Sequence, residues 1–386
     1  VKRVSRPSVV LLRGHNANVW DLRPLELLQD DFDLRVLVTG SNLHDLTGLG
    51  LPRVDAATPR DRLPVPQRAA GAAAYALGER YLDLQRHLAG ADIVHSAEIH
   101  SWFSAQAAGL KDRLGFKLVL TAWETLPFLG TYRWPRERRY RTATIPKVDR
   151  VLAATRRTSD TLALEGVDPA LVEVSPPGIA LERFAPPADH RPGAAGEPHT
   201  VLSAGRLVWE KGHQDVLRAV AALRRGIVGP GRADVRALIL GDGPERGRLE
   251  AYAAELGLTA AGAVEFRATV PYDEVPAVYH ASSALVLASL VTKGWEEQFG
   301  MVLVEALAAG LPVIACDTGA IPEVTDGHAT LVPPGDWRGI AAALLAGPLA
   351  APPATRAPVP AELLRQVSAE AAAARTAAAY RTALGS

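Results

Sequence analysis

Trp295-Glu296-Glu297-Gln298-Phe299-Gly300-Met301-Val302-Leu303-Val304-Glu305-Ala306, running on to Pro312-Val313-Ile314-Ala315, sets the reading of the whole chain. An acidic loop leads into a glycine, an apolar helix follows, and Gly310-Leu311-Pro312 ends it before a buried strand. Glu297 and Glu305 are eight positions apart, one just before the helix and one on its second turn. A helix start leaves its first amides unpaired, which places anion donors at Phe299, Gly300, Met301 and Val302. Phosphate donors between two carboxylates suit a sugar nucleotide: diphosphate at the helix start, ribose near Glu305, hexose near Glu297. The plain alternative is a solvated acidic loop ahead of an ordinary amphipathic helix, since carboxylates favour helix starts.

The stretch resembles the Glu-x7-Glu signature of the retaining, nucleotide-sugar-dependent glycosyltransferases of family 4. The resemblance implies a GT-B fold, in which two Rossmann-like doubly wound α/β domains face each other across a cleft. A second stretch supports it. Thr200-Val201-Leu202-Ser203-Ala204-Gly205-Arg206 reads as a strand and turn, and Glu210-Lys211-Gly212 follows before a helix with apolar Val216, Leu217, Val220 and Leu223. Arg206 and Lys211 precede a helix start, where cations oppose the macrodipole unless an anion lies between them. This Gly-Arg-x4-Lys-Gly run is similar to the family's diphosphate-binding signature; as solvated surface charges the two would need no ligand. Ala237–Leu240 leading to Gly241-Asp242-Gly243-Pro244 resembles the family's Gly-x-Gly-Pro turn, and Arg267–Val270 its base-binding segment.

Composition fits two domains. The chain has 386 residues, 48% hydrophobic and 22% charged, above the length at which one core usually splits. Lys+Arg and Asp+Glu are equal at 42 each, which argues against a nucleic-acid partner. Cys316 is the only cysteine, so an internal disulfide and a cysteine-built metal site are excluded, and it reads as a small buried hydrophobe. No apolar run reaches the length of a membrane span, and basic Val1–Arg6 leads into a strand too brief for a signal peptide, so a cytoplasmic protein is expected.

Strands are expected at Val9–Leu12, Leu34–Val38, Ile93–His95, Lys117–Thr121, Val151–Ala154 and Val172–Val174. Helices are expected between them, at about Trp20–Asp30, Ala70–Leu88 and Trp102–Leu114, with Asn42–Val65 as loop. Alternating strands and helices call for parallel sheets covered on both faces, with ligands past the strands' carboxyl ends. That rim holds Gly14 and His15, His95 and Glu98, and Trp123-Glu124. Gly14 would let a phosphate or sugar approach the backbone. His15 and His95 read first as structural histidines. Many family members carry a histidine where this chain has Thr121-Ala122-Trp123-Glu124-Thr125. Trp123 is either a sugar-stacking platform or an aromatic plug, and Glu124 either an acceptor ligand or a solvated acid. The basic run Arg133–Arg141 reads as a solvated helix face before a contact with an anionic membrane or phosphorylated acceptor.

Ala185–Pro198, with four prolines and two glycines, reads as a linker, and Pro352–Pro360 as a second hinge. The expected domains are 1–187 on the acceptor side, 188–359 holding the nucleotide sugar, and a helix over 360–386 returning to the first. The resemblance implies transfer of a hexose from a UDP- or GDP-type sugar to an acceptor hydroxyl with retention, without cofactor or metal, and with closure about the linker. A GT-B sugar-nucleotide epimerase and a non-catalytic nucleotide-sugar binder are the alternatives.

Overall fold

The strands of two sheets all pair in parallel, the central ones buried nearly along their length and the outer ones only in part. Such strands need cover on both faces, and the intervening helices supply it. The computed structural model describes residues 6–62, 69, 71, 78–129, 135–194, 196–358 and 361–385. The chain divides into two compact units, Val1–Ile179 with Gln366–Ser386, and Ala180–Arg365. The first division falls earlier than the 187/188 boundary expected, because Leu181–Phe184 packs with the second unit: Phe184 stacks edge-on against Tyr279.

In the first unit the strands are β1 (Ser8–Leu12), β2 (Asp33–Val38), β3 (Arg53–Asp55), β4 (Ile93–Ala97), β5 (Lys117–Ala122), β6 (Arg150–Ala153) and β7 (Val172–Val174), in the order 3-2-1-4-5-6-7. Period-2 alternation divides β1 between two cores, Val10 and Leu12 on one face, Val9 and Leu11 on the other. The second core is closed by Ala373, Ala377 and Tyr380 of the last helix. Small residues let that helix approach closely: a Cβ on Gly178 would stand 2.7 Å from the Ala369 α-carbon.

Four expectations for this unit need correction. Strand β3 lies inside the stretch expected to be loop, paired on the free edge of β2 through Val36–Arg53, Leu37–Val54 and Val38–Asp55. The helix expected over Trp20–Asp30 is α-helical only at Val19–Leu22 and becomes 3-10 at Arg23–Leu28, where Pro24 lacks the amide an α-helix requires. Of Ala70–Leu88, positions 70 and 72–77 lie outside the described residues; 78–83 is not helical, and a helix forms at Leu84–Leu88. The terminal helix is two helices, Ala361–Gln366 and Ala369–Leu384, broken where Ser368 caps the second and pairs with Ile179. Within the basic run, Pro135–Thr144 is helical, while Arg133 and Trp134 lie outside the described residues.

In the second unit β8 (His199–Ala204), β9 (Val235–Leu240), β10 (Val264–Arg267), β11 (Ala284–Leu287), β12 (Val313–Cys316) and β13 (Ala329–Val332) run in the order 10-9-8-11-12-13. Cys316 is fully buried in its core. Strand order reverses between β1 and β4 in one unit and between β8 and β11 in the other, so each sheet has one switch point where a ligand crevice opens.

Candidate functional site

At the β8/β11 switch point the loops following four strands pack backbone against backbone. Gly212, at φ 70°, ends the turn bearing Lys211 and opens the helix His213–Arg224; a Cβ there would overlap the Ala288 carbonyl oxygen. Gly319, at φ 56°, does the same after β12, against the carbonyl of Glu297. Only glycine combines that backbone angle with that proximity. Hydrogen bonds join the same loops: Leu290 N–H to Glu210 O at 2.7 Å, Ala320 N–H to Glu297 O at 2.9 Å and Leu207 N–H to Asp242 O at 2.8 Å. Charged side chains therefore ride on a fixed main-chain frame.

Glu297 is buried on this frame. Its carboxylate accepts from Lys211 Nζ at 3.0 and 2.7 Å and from Ser289 Oγ at 2.7 Å. Lys211 also lies 5.0 Å from the centre of the Trp295 ring. The Lys211 charge is thus met by a carboxylate, which the sequence argument from helix polarity did not foresee. Arg206 differs: its guanidinium is 65% exposed and 4.0 Å from Glu210. The backbone beneath Arg206 is held by a histidine that sequence reasoning missed. His213 Nε2 donates to Arg206 O at 3.2 Å and Nδ1 accepts from Ser203 Oγ at 2.8 Å. Burial pushes His213 down to about 4, so the ring stays neutral and can keep both bonds. Its place directly after Lys211-Gly212 was the one available signal.

The helix itself runs Met301–Ala308, with Gly300 as its left-handed N-cap. Leu303 N–H already bonds Gly300 O, so Met301 and Val302 are the opening amides of the helix itself, with Gly300 and Phe299 directly ahead of them. Glu305 lies on the second turn, deeply buried, accepting from Tyr279 OH at 2.8 Å. Burial raises its carboxyl to about 7, against the opposing effects of the Tyr279 bond and the Arg183 charge. The two signature acids therefore occupy opposite environments, Glu297 on a cation and Glu305 on a neutral hydroxyl. Gly241 follows β9 and abuts Gly205, while Val270 follows β10, one residue beyond Thr269, whose amide bonds Asp242.

In the first unit the expected residues gather at the ends of β1, β4 and β5. Gly14 is at φ 57°, and the space beside its α-carbon is filled by the Phe103 ring rather than open to a ligand. His15 is buried, its Nδ1 at 3.0 Å from both Thr39 Oγ1 and Ser41 Oγ, its Nε2 3.3 Å from Glu79. His95 is enclosed between Tyr380 OH at 2.6 Å and Thr121 Oγ1 at 2.7 Å, a structural histidine. Glu98 adopts φ 60°, a conformation rare outside glycine, and accepts from Trp123 N–H at 2.7 Å. One Glu124 oxygen caps the next turn, accepting from Thr125 and Leu126 amides at 2.9 and 2.8 Å. Trp123 packs edge-on against Trp20 at 5.9 Å and lines a cavity with Arg13, Asp21 and Thr121.

Two doubly wound parallel sheets, each with a single switch point, are the architecture of the GT-B fold class. Residues 26–183 match the family described as Glycosyltransferase Family 4, and residues 187–346 match Glycosyl transferases group 1. The chain belongs to the family 4 glycosyltransferases. It is 39% identical over 202 residues to a D-inositol 3-phosphate glycosyltransferase of Streptomyces bingchenggensis, covering 48% of this chain and 42% of that one. It is 34% identical over 183 residues to a 2-deoxystreptamine glucosyltransferase of Streptomyces kanamyceticus, covering 47% and 42%. The chain spans about half the length of the curated relatives it matches. Among solved structures, sucrose-phosphate synthase of Thermosynechococcus elongatus is similar at TM-score 0.73 and 20% identity, covering 98% of this chain and all of the other. HepE of Anabaena, solved with UDP and glucose, is similar at TM-score 0.70 and 16% identity, with coverage of 98% and 100%. Among the described residues no helix is long and apolar enough to cross a membrane.

Proposed function

We propose that the protein transfers a hexose from a UDP- or GDP-type sugar to an acceptor hydroxyl with retention of configuration. The observation that carries the reading is the Lys211–Glu297–Ser289 cluster at the β8/β11 switch point, beside Arg206 and the helix start. Bond cleavage places negative charge on the leaving diphosphate. Arg206, Lys211 and the amides of Met301 and Val302 are the groups to receive it, each strong donor being worth ~3–4 kcal/mol in the transition state. Those charges do the work a metal ion does elsewhere, which supports a metal-independent transfer. Glu297 orients the hexose and Glu305 the ribose. The anomeric carbon–oxygen bond breaks, the acceptor oxygen bonds that carbon on the same face, and its proton passes to a phosphate oxygen of the leaving group. The test is a thermal-shift panel of nucleotide sugars with Arg206→Ala as control. A wild-type protein that no UDP- or GDP-sugar stabilises would refute the donor.

A further inference from the structure

Arg356 lies in the proline-rich stretch that composition marks as a hinge, yet it is inserted into the second unit. Its Nη2 donates to the carbonyls of Tyr279 and His280 at 3.0 and 2.6 Å, and its Nη1 to Ser282 O at 3.1 Å and Thr355 O at 3.3 Å. The Tyr279, His280 and Ser282 carbonyls close the helix Val275–His280, whose C-terminal partial charge is the guanidinium's counter-charge. Among the described residues no carboxylate pairs with it, its Nε is buried without a partner, and burial lowers it to about 10. A cation held this way is expensive to keep unless its geometry serves something. The same strap makes further contacts. Ala357 N–H bonds Gly310 O at 2.7 Å, just past the end of the helix carrying Glu305, and Ala354, at φ 57°, bonds Ser283 Oγ at 3.1 Å. One segment thus grips the ends of both helices that bring Tyr279 OH onto Glu305.

We propose that Arg356 is a positioning residue for the nucleotide site: by clamping the end of the Val275–His280 helix it sets Tyr279 against Glu305 and so aims the carboxylate at the ribose. The proposal rests on the donor reading above. The groups facing Glu305 are the Tyr279 hydroxyl and, at longer range, Arg183, whose guanidinium is tied to Asp273 and lies over the Tyr272 ring. The Tyr279 bond holds the Glu305 carboxyl down, so loosening it moves the titration to higher pH. The test titrates UDP and GDP into the full chain from pH 5.5 to 8.5, for wild type, Arg356→Ala, Arg356→Lys, Tyr279→Phe and the Arg356→Ala/Tyr279→Phe double variant. Arg356→Ala is expected to weaken binding at pH 7 by roughly tenfold and raise the pH midpoint. Tyr279→Phe shifts the midpoint the same way, the double variant shifts it no further, and Arg356→Lys restores it. A lower melting temperature with an unmoved midpoint, or additive shifts, overturns the proposal. If the wild type binds neither nucleotide, the donor reading fails by itself. The proposal is then judged on the pH profile of melting temperature, measured against a Glu305→Gln background. Arg356→Ala must move that profile, and an unmoved profile overturns it.

Discussion

Replacing Glu305 by glutamine is expected to stabilise the protein at pH 8 while weakening the nucleotide site. Glu305 is buried, and its carboxyl is raised from 4.5 to about 7. Between those values the folded chain retains a proton that the unfolded chain releases, so the contribution of Glu305 to stability is fully present below pH 4.5 and is lost as pH rises to about 7. Above pH 7 the loss is complete. A rise from 4.5 to about 7 corresponds to about 3 kcal/mol. Glutamine carries no such charge, and its side-chain oxygen still accepts from Tyr279. The stability gap between variant and wild type therefore opens by about 3 kcal/mol from pH 4.5 to pH 8, roughly 6–12 °C in melting temperature for a unit of this size. Differential scanning fluorimetry of both proteins at pH 4.5, 6, 7 and 8 measures it. A gap that stays constant with pH, or a variant that melts lower at pH 8 than at pH 4.5 relative to wild type, would refute the reasoning. Nucleotide affinity should fall by about tenfold in the same variant, through loss of a charged hydrogen bond.

Lys211→Ala should destabilise by about 3 kcal/mol, because it leaves the buried Glu297 carboxylate held by the Ser289 hydroxyl and no cation, and adding Glu297→Gln should recover most of that loss in a double-mutant melting cycle. Gly212→Ala should lower the melting temperature and abolish nucleotide binding, since its Cβ would overlap the Ala288 carbonyl; Gly205→Ala, with open space beside it, should bind nucleotide and lose only the milder stability of its strained φ of 145°. His213→Asn should weaken nucleotide binding at every pH between 5 and 9 without adding an inflection to the profile, because His213 titrates near 4.

The parts of this fold legible in sequence are those encoded locally. The apolar runs of β1, β5, β8 and β11 announce buried parallel strands, and the turn chemistry around Gly212, Gly300 and Gly310 delimits the helices of the site. What stayed hidden depends on partners distant in the chain. Strand β3 has one apolar residue, Val54, and exists because β2 offers a free edge. The break at Ser368 follows from its pairing with Ile179, although a serine ahead of an alanine-rich helix was itself a cap signal. Lys211 and Glu297 were each legible as site residues, but not as each other's partner 86 positions apart. That pairing changes the chemistry expected of them. A donor diphosphate approaching Lys211 meets an ammonium already bonded to a carboxylate, so it must share or displace Glu297 while Arg206 stands exposed. Displacement would free the Glu297 carboxylate for the sugar hydroxyls at the moment the diphosphate is gripped, whereas two independent surface cations could not couple the two events.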